Sequence, residues 1–389
     1  MAGHVAARTL TPLRAPSPAG RFDVSLAAGA DDAAVRGLLR DHPLAGEVLV
    51  SLEREPDGRI AAGIEGDAHQ TLIAREGGTH RVAAVGSRSV RYAFVNGRPM
   101  RLGYLGQLRV ATPFRRSRTL LDTGFAFCRA LHDAGDARIY LTSIIADNHA
   151  ARRLQLGVRS EHAPQFAPAG GISTLVLARG GRGARLRAGD LEIRNGSADL
   201  LDGIVACLWR NGRRYQFAPC WTEEDLSSDV RTPDLRLEHF VVAMRDCRVV
   251  GCVACWDQRR FKQAVVRGYS ARAARWRPLV NLAGGWLGIP RLPDVGRRLE
   301  FAYLSHLAVD DDDADVAVAL IAAARRRLPP DIDCVATGVA DDSPLLTAFR
   351  RAFRHREYHS LLYLAFWPDG ECLAKTLDGR VPHPEVAIL

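Results

Sequence analysis

A mixed α/β fold laid down twice in tandem is what this sequence predicts, on three observations. Residues 102–135 read as an apolar strand, a short basic loop and an amphipathic helix. The strand segment Tyr104-Leu-Gly-Gln-Leu-Arg-Val110 returns as Tyr303-Leu-Ser-His-Leu-Ala-Val309, again ahead of a helix. Later, Thr142-Ser-Ile-Ile-Ala-Asp-Asn148 is echoed by Thr337-Gly-Val-Ala-Asp-Asp342, in the same order. At 389 residues the chain is also too long for one ordinary core.

In chain order, residues 1–21 carry three arginines, three prolines and no acid, without the continuous apolar core of a secretory signal. They predict a flexible tail. Residues 22–26 read as a strand, and 31–39 as a helix with Asp31 or Asp32 near its N-cap. Residues 44–56 read as a loop carrying Glu53 and Glu55. Residues 70–74 and 82–95 are expected as strands, with Asn96-Gly97 as the hairpin turn into the strand of Tyr104.

That strand is interrupted by Gly106, breaks at Pro113 and passes through Arg115, Arg116 and Arg118. In the helix beyond, Leu121, Phe125, Cys128 and Leu131 recur at i, i+4, i+7 and i+10 and share a face, with Thr119 as N-cap and Gly135 as the stop. A strand feeding a basic loop that opens a helix suits phosphate. The first turn has free N–H groups and the positive end of the macrodipole. Residues 139–145 and 173–178 are further strands.

The Gly/Arg-rich stretch that starts at Arg179 separates two units, 22–179 and 191–370, with 180–190 as linker and 371–389 as a C-terminal tail. In the second unit 191–194, 240–244 and 249–256 read as strands, and 198–210 as a helix. An insertion at 259–291 is basic and then apolar. Gly284, Gly285 and Gly288 make it a poor membrane-surface helix, so packing between domains or over a cleft is expected. After Val309 the run Asp310-Asp-Asp-Asp-Ala-Asp315 reads as a solvated acidic turn capping a helix. It lacks the Gly and Glu of a calcium loop, and phosphate there would meet like charge.

The net charge of +9 suits acidic partners, but the arginines are dispersed and no basic-aromatic nucleic-acid motif stands out. Nucleic-acid binding therefore rests on charge alone, and a G·C-rich genome accounts for an Arg/Ala-rich chain equally well. No apolar run reaches the length of a transmembrane helix. The eight cysteines show no disulfide framework. Cys252 and Cys255 are C-x-x-C in a strand, where i and i+3 point to opposite faces, so buried thiols in a reducing cytoplasm are expected and no metal.

The strand, the V-x-x-x-F/Y-R turn, the basic loop and the helix resemble the coenzyme A-binding core of the GNAT superfamily of acyl-CoA N-acyltransferases. Residues 139–154 continue the likeness: Ala146-Asp-Asn-His-Ala-Ala-Arg-Arg-Leu154 is similar to the family's N-x-x-A opening of its fourth helix. The resemblance covers roughly 22–179, and the two echoes extend it to two-domain acyltransferases. It implies an acyl-CoA co-substrate, most simply acetyl-CoA. Leu108, Arg109 and Val110 would face the pantetheine arm. Arg115, Arg116, Ser117, Arg118, Thr119 and Leu120 would hold the pyrophosphate, and Asn148 would contact the arm from the other side or act as an ordinary helix cap. The chain departs from the family in two places. Arg118 and Leu120 stand where small residues belong, and no Tyr follows Asn148 to serve as the usual acid.

Acyl transfer to an amine needs a neutral amine, a polarised thioester carbonyl and a proton for the leaving thiolate. The candidates are Glu53, Glu55 and Tyr104, with His149 beside them; Gln107 does not titrate. Against them stand a solvated surface pair with Arg54 for the two glutamates and a structural role for Tyr104. His306, His355 and His359 have no identifiable partner. The sequence therefore points to a cytoplasmic tandem GNAT-like N-acetyltransferase acting on a small-molecule or peptide amine. Its second copy would be degenerate, completing the substrate cleft or a homodimer interface. The alternative is a GNAT-fold binding or regulatory protein that has lost the chemistry.

Overall fold

The computed structural model describes residues 20–44, 46–157, 160–179, 191–287 and 291–389. The expected linker, 180–190, and the tail up to residue 19 lie outside the described residues. The first half runs β1 (Phe22–Leu26), α1 (Asp32–Asp41), β2 (Val48–Glu53), α2 (Gly58–Glu65), β3 (Ala68–Glu76), β4 (Val82–Val95), β5 (Arg98–Val110), α3 (Arg118–Asp133), β6 (Ile139–Ile145), α4 (His149–Gly157) and β7 (Gln165–Ala178). The second half runs β8 (Glu192–Asn195), α5 (Leu201–Gly212), α6 (Glu223–Leu226), β9 (Phe240–Arg245), β10 (Arg248–Trp256), β11 (Gln263–Tyr269), α7 (Ala271–Leu287), β12 (Phe301–Val309), α8 (Ala314–Arg326), β13 (Cys334–Ala340), α9 (Pro344–Ala352), β14 (His355–Phe366) and α10 (Glu371–Lys375).

Twelve of these strands form one continuous mixed sheet in the order β1-β3-β4-β5-β6-β14-β7-β13-β12-β10-β9-β8. The two halves meet by sharing strands. β14, from the second half, lies antiparallel between β6 and β7 of the first, with Leu364 opposite both Leu141 and Ala167. β7 in turn pairs with β13, from Ile172 opposite Ala340 to Ala178 opposite Cys334. Neither half therefore closes its sheet alone.

The helices follow from burial. In the second half α8 reads Ala-Asp-Val-Ala-Val-Ala-Leu-Ile-Ala-Ala-Ala-Arg-Arg and is buried from Val316 to Arg325, as expected of a helix apolar on all sides. Its small side chains pack against Val241, Val253 and Leu304 of the sheet and Phe349 of α9. In the first half α3 is capped by Ser117, whose Oγ accepts from Leu120 N at 3.3 Å. The cap is not Thr119, and the buried stripe is Leu120, Phe127, Cys128 and Leu131 rather than the face through Leu121 and Phe125. The buried face is set by what the helix packs on: Leu120 drops into the cluster around Phe22 and Phe114.

Residues 44–56, expected as a loop, contain β2. It pairs antiparallel with β11 of the insertion, Ser51 opposite Val265, in a separate two-stranded sheet. Strand propensity is realised only when a partner is present, and here the partner lies more than two hundred residues away. α2, which follows, sends Ala61 and Ile64 into a core shared with Trp221, Trp256 and Ile388. The segment after α10 is also packed in, with Ala387 and Ile388 buried. The insertion packs between the halves through β11, while Trp276, Leu279 and Leu282 of α7 are exposed.

Candidate functional site

The site begins where β5 and β6 part. They are parallel neighbours at Gly103/Tyr140 and Tyr104/Leu141 only, although β5 continues to Val110 and β6 to Ile145. The cause is local. Gln107 adopts φ 55°, and the β4–β5 register slips between Val85/Arg109 and Ser87/Gly106. A left-handed non-glycine residue inside a strand is costly and marks a bulge that re-aims the chain. Gly106 beside it is needed for space, because a Cβ there would lie 2.8 Å from the Tyr104 ring. The split leaves Leu108 markedly exposed for so apolar a side chain. Arg109 is half-buried, its pKa lowered by desolvation and by Arg54, and its Nη1 donates to Leu108 O at 2.9 Å. Val110 still pairs with Ala84.

At the mouth of this split sits the basic loop. Arg115, Arg116, Arg118 and Thr119 are exposed and Ser117 half-buried, while Leu120 is buried in the core. The leucine that stands where a small residue was expected therefore points away from the loop. Arg115 Nη2 lies 3.3 Å from His42 Nδ1. On the other side of the split Asn148 Oδ1 accepts from Ala151 N at 3.1 Å, so this side chain caps α4.

At the vertex is a small cavity lined by Glu65, Ser89, Arg91, Tyr104, Leu141, Phe217, Glu385 and Leu389 among others. Tyr104 Oη is 2.8 Å from Ser143 Oγ, and burial raises the phenol's pKa although Ser143 opposes the shift. Glu65 is buried at the end of α2, ion-paired to Arg54, 3.1 Å from His69 Nδ1, and accepts from Gln107 Nε2 at 3.0 Å. Burial alone would raise its pKa; Arg54 and His69 reverse this and bring it to about 2. Burial raises the Glu385 carboxyl, against hydrogen bonds from the N–H groups of His306 and Ala387. Lys262 is desolvated, with Arg54 adding repulsion, and its pKa falls to about 7. Its Nζ donates to Ala387 O at 2.9 Å and Leu389 O at 3.0 Å.

Of the three residues expected to carry chemistry, Tyr104 alone lines this cavity. Glu53 is buried on β2 and held by Ser51 and Arg267. Glu55 is paired with Arg36 and lies 3.8 Å from Arg40. Glu65, Arg91, Lys262 and Glu385 were missed. Signals existed for two of them. Glu65 closes an apolar helical stretch with Ile60, Ala61 and Ile64, and Lys262 is one of only two lysines in an arginine-rich chain.

The second half repeats the geometry and fills it. His306 also has φ 55°, the β10–β12 register slips beside it, and β12 pairs with β13 only from Phe301/Cys334 to Tyr303/Ala336. Here the 3-10 turn Val386–Ile388 occupies the split. Glu385 Oε2 accepts from His306 N at 2.7 Å, and a Cβ on Gly338 would run into Val386. The acidic turn is less solvated than expected. Asp313 caps α8, but Asp310 is bound by Arg210 and Asn211, and Asp312 by Arg214 and Tyr215.

No family model matches the chain, and no curated protein matches it in sequence. Solved structures do. Saccharomyces cerevisiae N-myristoyltransferase with bound myristoyl-CoA superposes with a TM-score of 0.56 at 11% identity, covering 92% of this chain and 85% of that one. A tandem GNAT protein from the clavulanic acid biosynthesis pathway gives 0.54 at 12% identity, over 88% of this chain and 98% of that one. A GCN5-related N-acetyltransferase from Anabaena variabilis gives 0.51 at 10% identity, over 91% and 74%. With the repeated bulge and split, these likenesses identify the fold: the chain has the fold of tandem GNAT proteins.

Proposed function

We propose that this protein is an acyl-CoA-dependent N-acyltransferase whose working site is the β5/β6 split of the first unit, residues 22–179. The observation that carries the reading is the contrast between two equivalent splits, one with an exposed basic loop at its mouth and one filled by residues 385–388. One of the similar structures, the N-myristoyltransferase, holds myristoyl-CoA, which supports an acyl-CoA here.

In this reading Leu108, Arg109 and Val110 present backbone groups to the pantetheine arm. Ser117 to Leu120 place the positive end of α3 at the pyrophosphate, with Arg115, Arg116 and Arg118 supplying charge. Asn148 borders the arm from α4. Tyr104 keeps its proton because burial raises its pKa, so it can give that proton to the departing thiolate. Among the carboxylates that line the cavity, Glu385 is the better base, since its pKa is raised whereas that of Glu65 is depressed. Glu53 is held by Ser51 and Arg267 within the β2–β11 pair, and Glu55 by Arg36 of α1. The acyl group is acetyl in the simplest case, the acceptor is a small-molecule or peptide amine, and the setting is the cytoplasm.

Calorimetric titration with acetyl-CoA, longer acyl-CoAs and free coenzyme A tests the reading, together with release of the coenzyme A thiol in the presence of amines. One site per chain with micromolar affinity and amine-dependent thiol release are expected. Binding without release would leave the fold as a coenzyme-binding module. No binding at millimolar ligand would remove the assigned site.

A further inference from the structure

β4 presents Ser87, Ser89 and Arg91 at alternate positions, so the three share one face of the sheet. Ser87 is opposite Gly106 and Ser89 opposite Tyr104, which sets this row beside the bulge. All three are buried, with Arg91 9% exposed. Ser87 Oγ, Ser89 Oγ, and Nε and Nη1 of Arg91 have no hydrogen-bond partner among the described residues. Buried polar atoms are nearly always satisfied, so a row of such atoms on one strand face beside a cavity points to a ligand. Arg91 is itself well placed: Nη2 donates to Ile64 O at 2.7 Å, and the guanidinium lies 5.2 Å from the Trp221 ring centroid.

We propose that the cavity beneath Tyr104 takes an acceptor bearing a carboxylate as well as its amine, an amino acid or short peptide, with Arg91 holding the carboxylate. This rests on the N-acyltransferase reading. Nε–H and Nη1–H of Arg91 point to different sides of the guanidinium, so one of them donates to one carboxylate oxygen while Ser89, which lines the same cavity, donates to the other. The lining carries both signs, since Glu65 and Glu385 share it with Arg91. A plain amine would use the acids and leave the guanidinium unmatched. A zwitterion uses both. A dianionic phosphate would meet the two carboxylates with greater repulsion. The apolar part of the wall, Leu102, Leu141 and Phe217, receives the acceptor's aliphatic portion.

The test compares matched pairs on the full chain: lysine with cadaverine, and alanine with ethylamine, titrated calorimetrically in the presence of free coenzyme A. The amino acid should bind about 10- to 100-fold more tightly than its decarboxylated partner. Arg91→Gln should erase that margin, and Arg91→Lys should restore part of it. Equal binding of both members to the wild-type protein, binding of neither, or a margin that survives Arg91→Gln overturns the proposal. If Arg91→Gln does not fold, Ser89→Ala and Arg91→Lys decide, since each must narrow the margin. Thiol release separates the two ideas. Release with decarboxylated amines as efficient as with amino acids keeps the enzyme and removes the carboxylate site. A binding margin without release in any pair keeps the site and removes the reaction.

Discussion

The two units place the same bulge on the same strand, at Gln107 and at His306, and put it to opposite uses. In the first unit the strands beyond the bulge separate next to an exposed arginine loop. In the second they separate around Glu385 and Val386, next to a loop whose aspartates are taken by Arg210 and Arg214. The bulge is thus a property of the fold, whereas availability to a ligand depends on what the rest of the chain sends into the gap. Glu385 lies at the wall between the two, lining both the first unit's cavity and a second one beside His306.

Separating the two units is expected to have the largest effect. Truncation after Arg179 strips β7 of both neighbours, β14 and β13, and β6 of β14, leaving long unpaired edges. The fragment is expected to be unfolded or aggregated by circular dichroism and size-exclusion chromatography. A soluble fragment with a cooperative melt would show that the shared seam is dispensable.

Glu65→Gln comes next. It leaves Arg54 buried without its counter-charge, at a cost of about 3–5 kcal/mol in denaturant unfolding. The pH profile supplies a second readout. The folded pKa of Glu65, about 2, is below the unfolded value of about 4.3. Its contribution is therefore complete above the unfolded value and is lost as pH falls towards 2. The variant should have a flatter stability curve over that acid window, and an unchanged slope would remove Glu65 from the acid response.

Gly338→Ala sharpens the contrast from the second unit, because the added Cβ displaces Val386 from the split. Destabilisation of about 1–3 kcal/mol is expected, with acyl-CoA stoichiometry still one per chain. A second site appearing in this variant would show that the fill alone, not the acidic loop, closes the second unit. The smallest effect on stability belongs to Arg115→Glu with Arg116→Glu. Both residues are exposed, so melting should be unchanged while coenzyme A affinity falls at least about tenfold. Unaltered affinity would move the pyrophosphate elsewhere.

Residues 22–26, 82–95 and 139–145 were legible as strands to the residue. Alternation and turn chemistry are local signals, and burial on a sheet reinforces them. The repeat was legible too, because Tyr104–Val110 and Tyr303–Val309 keep the side chains that flank the bulge. β2 was not, since its partner β11 belongs to the other half. The candidate site divides in the same way. Its basic loop and Asn148 are contiguous motifs and could be read directly, while Glu65, Arg91, Lys262 and Glu385 are scattered over more than three hundred residues.

By itself, then, the sequence determined the mixed α/β class, the tandem repeat and the basic strand–loop–helix, all encoded within short windows of side-chain periodicity and charge. Folding adds that one sheet runs through both units, that Ser117 rather than Thr119 caps α3, and that the second split is filled by residues 385–388. Folding also brings Glu65 and Glu385 to the cavity of Tyr104. These are contacts between distant segments, fixed by burial and hydrogen-bond satisfaction in the folded chain, and no local pattern of residues carries them.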